Sequence, residues 1–248
     1  MDNRYFYDRR THRAFSEREV SNELLETLLD AAAHAPTTGN MQLYSVIITR
    51  DAEARKALAH THFNQPASLN APVLLTFCAD FNRFSEWCRQ SGADPGYDNL
   101  QGFTTAMLDA VIFAQQFNTV AEMNGLGCCY LGTTTYNAPD IACLLQLPSL
   151  VVPVVTLAVG YPAGDVEDCG RLPIRSLIHH DTYQQPTAQK IAATYAEKES
   201  RDDSKRFVAE NGKENLAQVF TDVRYTRSMM ESFSKVWHDF IAAQGFHI

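Results

Sequence analysis

The stretch Arg9-Arg10-Thr11-His12-Arg13-Ala14-Phe15 places three arginines within five residues of a chain whose formal net charge is -8. A basic cluster on an acidic background reads as a dedicated anion site, not a general attraction for polyanions. The guanidinium fork suits phosphate, and Thr11 adds a hydroxyl donor. Two plainer readings compete with this one. A transit peptide is poor in acids, whereas Asp2, Asp8, Glu17 and Glu19 interrupt this run and a helical pattern follows directly. A solvated basic patch stays open on the cluster alone, so residues further along must decide.

At 248 residues the chain can bury a sizeable core. Its 45% apolar and 20% charged fractions are those of an ordinary globular protein. Apolar runs such as Leu150 to Val159 are too short to span a bilayer, and the start does not read as a secretory leader. The six cysteines show no C-x-x-C spacing, and four lie in apolar segments. Buried thiols in a cytoplasmic protein are therefore expected, not disulfides or zinc. The acidic balance speaks against nucleic acid as a partner.

Working outward, Ser21 to His34 reads as a helix with Ser21 as N-cap, Leu24, Leu25, Leu28, Leu29 and Ala32 on one face, and Pro36 enforcing the stop. Tyr44 to Thr49 and Val73 to Ala79 read as strands, with a short helix capped by Asp51 after the first. The longest helix runs from Thr104 to Asn124. Met107, Leu108, Val111, Ile112, Ala114, Phe117, Val120 and Ala121 imply burial of more than one face. Leu126 to Leu131 is a third strand, and a short helix follows with Asn137 as cap. Val151 to Gly160 is a fourth strand, apolar enough for a central position. Tyr161 to Pro173 is a Gly/Pro/Asp-rich loop. After the polar stretch Ala188 to Arg206, Met230, Phe233, Val236, Trp237, Phe240 and Ile241 form a helical stripe that returns to the core or packs on a partner. The expectation is one α+β core over 1–185 with a helical C-terminal extension over 186–248.

The chain holds no G-x-G-x-x-G after a strand, no P-loop and no G-x-S-x-G. His60-x-His62 and His179-His180 could ligate metal but lack zincin spacing, and core or surface histidines are the plainer reading. Phosphate-friendly loops remain. Pro36-Thr37-Thr38-Gly39-Asn40-Met41-Gln42 offers hydroxyls, a Gly backbone and side-chain amides, although a plain helix-stop turn would use the same residues. Tyr130-Leu131-Gly132-Thr133 ends a strand, where sheets commonly present ligand contacts. Arg171 could return to the same anion.

Taken in order, these motifs resemble the signature of FMN-dependent nitroreductases. They are Arg9-Arg10-Thr11-x-Arg13-x-Phe15, Ala35-Pro36-Thr37-Thr38-Gly39-Asn40-x-Gln42, Gln65, Cys78-Ala79-Asp80-Phe81-Asn82-Arg83, Gly125-Leu126-Gly127-x-x-Tyr130-x-Gly132, Gly160-Tyr161-Pro162 and Arg171-Leu172-Pro173. The order is similar to the oxygen-insensitive NADPH nitroreductase and flavin reductase branch, over roughly residues 4 to 183. The resemblance implies a nitroreductase-like fold, a mixed, largely antiparallel sheet flanked by helices. It implies a homodimer with FMN at the subunit interface, reduced by NADPH or NADH and reoxidised by small aromatic acceptors: nitroaromatics, quinones or flavins. Arg9, Arg10, Thr11 and Arg171 would hold the FMN phosphate, and Arg13 would lie nearer the ribityl chain and the N1/O2 edge. Thr37, Thr38, Gly39, Asn40 and Gln42 would contribute across the interface. Gln65 would meet the pyrimidine edge, and Tyr130, Leu131, Gly132 and Thr133 would flank the ring near N5. No side chain is expected to act as acid or base, because the flavin carries the chemistry.

Three departures stand out. Cys169 occupies a position where the branch often has lysine, Thr133 replaces a common glycine, and the tail is short and acid-rich. Arg201, Lys205 and Arg206 are left to meet a nicotinamide phosphate. A dehalogenating or dehydrogenating flavoenzyme on the same scaffold, and a non-enzymatic flavin-binding protein, stand as the other readings.

Overall fold

The computed structural model describes residues 3–166 and 168–248. Four strands, β1 (Tyr44–Thr49), β2 (Val73–Asp80), β3 (Gly127–Leu131) and β4 (Val151–Gly160), form one sheet in the order β1-β2-β4-β3. Every pairing between them is antiparallel, so the sheet expected to be largely antiparallel is wholly so among the described strands. β2 and β4 are central, which explains their nearly continuous apolar sequence. Pro153 sits opposite Cys78, where the β2–β4 register shifts by a bulge that tolerates its missing N–H.

Helices cover both faces. Phe113, Ala114, Phe117 and Ala121 of the long helix Leu100–Met123 pack with Leu25 and Leu28 of the helix Asn22–Ala32 over Val73, Leu75 and Phe77. On the opposite face, Leu58, Ala67 and Ile141 meet Leu74, Ala158 and Leu131. The caps form largely as the sequence implies, with the Ser21 side chain accepting from Leu24 N and that of Asp51 from Ala54 N. The long helix begins earlier than expected, at Leu100, because the Asn99 side chain accepts from Gly102 N and caps it there. Asn137 makes no cap bond; its amide is used elsewhere, as described below.

One expectation fails in the single chain. Leu108, Val111 and Ile112 lie on an exposed face of the long helix, so only one of its apolar faces is buried. The sheet and the helix Asn22–Ala32 occupy the Phe113–Phe117 side and leave the other uncovered.

The chain forms two compact units, Met1–Val166 with Phe233–Ile248, and Glu167–Ser232. The division expected at 185/186 falls within the second. In the first unit part of the C-terminal stripe packs inward, with Trp237, Phe240 and Ile241 joined by Phe246 against Phe81, Phe103 and Val152, while Val236 stays exposed. The second unit carries the helices Ala188–Ser200 and Asp202–Glu210 and the short helix Leu216–Val219. No helix among the described residues is long and apolar enough to cross a membrane.

Candidate functional site

The arginine segment is threaded against the sheet edge by backbone hydrogen bonds. His12 N donates to Cys128 O at 3.2 Å, Ser16 N to Tyr161 O at 2.9 Å and Ala163 N to Ala14 O at 3.1 Å. Two motif glycines make room for this passage. A Cβ at Gly127 would fall 2.7 Å from the His12 side chain, and one at Gly160 would fall 2.7 Å from Pro72 and 2.9 Å from Phe15. At such distances any added side chain would force its neighbours to shift. The segment therefore lies where the sequence motifs converge, and Phe15 packs on the cluster containing Cys129, Leu131, Leu58 and Ala67.

The arginines are not equivalent. Arg9 spends its fork on Glu122, with Nε and Nη2 donating to the two carboxylate oxygens at 3.0 and 2.8 Å. Tyr5 donates to the same carboxylate at 2.8 Å. Hydrogen bonding to Glu122 raises the Arg9 pKa, and burial raises that of Tyr5. Arg10 is half-buried, and its Nη1 donates to the carbonyls of Tyr7 and Arg9, each at 2.9 Å. Thr11 is half-buried, and Arg13 is exposed. Arg13 is close enough to Cys129 to counter the burial that pushes that thiol up. A cleft of about 410 Å³ opens beside the segment, lined by Arg9, Arg10, His12, Glu122 and Asp165 among others.

Two strained turns complete the first unit's candidates. At the end of the helix Ala52–Thr61, Phe63 and Asn64 both adopt left-handed backbone, with φ of 56° and 52°. Asn tolerates that region, but a bulky Phe there is strained. The turn is pinned from the other side: Asn137 donates its amide to Thr61 O at 2.5 Å, and His62 Nδ1 lies 2.9 Å from Thr133 Oγ1. Gln65, half-buried, emerges from this turn. Of the strand-end residues, Tyr130 is partly exposed with its hydroxyl 3.2 Å from Gln115, Leu131 is buried, Gly132 is exposed and Thr133 is buried.

The second turn is the loop from Thr37 to Gln42, where Gly39, Asn40 and Gln42 take φ of 56°, 56° and 54°. Different neighbours hold it. Buried Asp109 of the long helix accepts from Thr38 N at 2.9 Å, Thr38 Oγ1 at 3.2 Å and Leu43 N at 3.3 Å. Arg83 donates to the carbonyls of Gln42 and Tyr44 at 2.6 and 3.0 Å. Asp80 accepts from Arg83 N at 3.1 Å, and the Ser45 hydroxyl also donates to it. The Cys78–Arg83 motif thus acts as a brace on this loop. Thr37 Oγ1 is buried and has no hydrogen-bond partner among the described residues.

Arg171, Arg201, Lys205 and Arg206 belong to the second unit. There a cavity of about 420 Å³ is lined by Arg171, Lys198, Arg201 and Arg224 against the carboxylates of Glu197 and Asp203. Arg224 sits 4.4 Å from the centre of the Phe207 ring, and Lys198 sits 5.2 Å from that of Phe220, so the wall is both cationic and aromatic. Arg201 bonds to Asp203 at 3.1 Å and donates to Asp168 O. Arg206 lines a neighbouring cleft with Arg201, and Lys205 is exposed.

Sequence reading missed Asp109, Arg224 and Lys198 as candidates, and took His62 only as a possible metal ligand or core histidine. Asp109 left a signal: it is an acid on the same helical face as Ala106 and Phe113, both buried.

The chain matches the Nitroreductase family over residues 7–161. It is 32% identical to an FMN reductase (NADPH) of Bacillus subtilis over 176 residues, 70% of this chain and 71% of that protein. It is 31% identical to an oxygen-insensitive NADPH nitroreductase of Salmonella typhimurium over 188 residues, 76% of each chain. A crystal structure from Bacteroides fragilis shares the fold with a TM-score of 0.97 at 48% identity, covering 99% of this chain and 100% of that one.

Proposed function

Since the chain belongs to the nitroreductase family, we propose that it is an FMN-dependent NAD(P)H oxidoreductase, a cytoplasmic homodimer reducing nitroaromatics, quinones or flavins. The supporting observation is the gathering of Arg13, the Tyr130–Thr133 turn and the turn ending at Gln65 around Phe15 and β3. That donor set suits FMN: an exposed cation for the anionic edge of a reduced flavin, side-chain and backbone amides for a pyrimidine, and hydroxyls for polar edges. The buried, unpartnered Thr37 hydroxyl fits the same purpose.

Arg10 and Thr11 would hold the phosphate, with Arg9 fixing the segment through its ion pair with Glu122. Thr37, Thr38, Gly39, Asn40 and Gln42 would serve the partner subunit's cofactor. When bound, FMN supplies hydride acceptance and donation at N5, so nicotinamide and acceptor can use one space in turn. The protein's task is to bind, orient and exclude, and solvent can supply protons. In the second unit, Arg201 and Arg206 are suited to the extra phosphate of NADPH, with Lys205 adding charge nearby.

Initial rates measured over a grid of NADPH and quinone concentrations test the scheme. Parallel double-reciprocal lines are expected for alternating occupancy; intersecting lines would exclude it.

A further inference from the structure

His62 is fully buried, yet it lies in no metal-binding cluster among the described residues, and the proposed chemistry does not use it. Its Nδ1 is 2.9 Å from Thr133 Oγ1, while its Nε2 is buried with no partner among the described residues. Two tautomers fit the observed contact. With the proton on Nε2, a buried N–H is orphaned, and Nδ1 consumes the Thr133 hydroxyl hydrogen. With the proton on Nδ1, only a lone pair is left bare, and Thr133 accepts from His62. Orphaned buried N–H groups are rarer than under-satisfied acceptors, so the second tautomer is favoured. Burial also pulls the imidazole down to about 4, which keeps it neutral and rules out the doubly protonated form near pH 7.

The consequence falls on Thr133, which is 8% exposed and follows the exposed Gly132 at the strand end. Its hydroxyl accepts from within the protein and so has its own hydrogen left to donate. We propose that His62, as the Nδ1–H tautomer, is a positioning residue that turns the Thr133 hydroxyl outward as a hydrogen-bond donor to the bound flavin ring. This rests on the FMN reading above. The pair would set the balance between oxidised and reduced cofactor, not only its affinity.

Two measurements test it. Long-range ¹H–¹⁵N NMR of the histidine ring, in FMN-free and FMN-loaded protein, is expected to report Nδ1 protonated; an Nε2–H signature overturns the proposal. The midpoint potential of bound FMN is then compared across variants. Thr133→Val and His62→Leu are each expected to change the oxidised-to-reduced ratio at fixed potential by about three- to tenfold, the worth of one hydrogen bond. The double variant should match Thr133→Val alone, since both act through one hydroxyl. His62→Asn, whose amide N–H can replace Nδ1–H, should restore the wild-type value, as should Thr133→Ser. Unmoved potentials with FMN bound, or additive shifts in the double variant, sink the His62 inference alone. A wild-type protein that takes up no FMN sinks the cofactor reading with it. If His62→Leu does not fold, the conservative Thr133→Val still decides.

Discussion

At the scale of single residues, three neighbouring arginines divide their labour. Arg9 is held by a carboxylate whose side chain is only 6% exposed. Arg9→Ala leaves Glu122 to Tyr5 alone and is expected to cost about 1–3 kcal/mol of stability, reduced from a fully buried pair by partial screening. Denaturant unfolding checks this, and Arg9→Ala with Glu122→Gln should recover part of the loss. Arg10→Ala is instead expected to weaken FMN roughly 10- to 100-fold, as loss of a charged phosphate contact does, read by fluorescence titration. His62 adds a pH dependence. Burial lowers it from 6.5 to about 4, so between those values the unfolded chain binds a proton that the folded chain refuses. Stability from this source is complete above pH 6.5 and falls as pH drops toward 4, by about 3 kcal/mol in all. Unfolding free energies of wild type and His62→Asn at pH 7 and 4.5 should show a shallower acid loss in the variant; equal losses would contradict the assignment. The arginine cluster was legible in the sequence, but its division was not, because Glu122 lies 113 residues away from Arg9 and nothing local marks the pair.

At the scale of elements, the candidate site rests on two strained turns braced by buried polar groups. Asp109→Asn keeps the shape but puts an amide donor where the carboxylate now accepts from three groups. It is expected to lower stability by about 1–3 kcal/mol and to weaken FMN severalfold, because Thr38 N–H and Leu43 N–H cannot both be satisfied. Thermal unfolding of FMN-free protein separates the first effect from the second. Strand ends and caps were readable because alternation, Ser21, Asp51 and Pro36 each act locally. The turns themselves were not. Left-handed backbone at Phe63 and Gln42 is imposed by tertiary bonds from Asn137, Thr133, Asp109 and Arg83, against the residues' own preference. The short helices Asn82–Gln90 and Pro66–Asn70 were not anticipated, although the first is amphipathic at helical spacing.

At the scale of the whole molecule, the uncovered apolar face of the long helix is the main feature that one chain leaves unexplained. Leu108, Val111 and Ile112 recur at helical spacing and remain 52%, 38% and 39% exposed. The proposed homodimer predicts that they are covered by the partner subunit. Ile112→Glu is expected to convert a dimer into a monomer at micromolar concentration, and to weaken FMN at least about tenfold if the Thr37–Gln42 loop serves the partner's site. Light scattering after size exclusion reports the first, and FMN titration the second. The apolar pattern of this helix implied more than one buried face in the sequence; in the single chain only the Phe113–Phe117 face is buried. The central claim, that the protein carries electrons through bound FMN, is tested most directly by anaerobic absorbance spectroscopy. Protein saturated with FMN and freed of excess should bleach near the flavin maximum when NADPH is added, and recover on addition of a quinone. A protein that retains no FMN, or whose bound FMN stays oxidised under both NADPH and NADH, would contradict it.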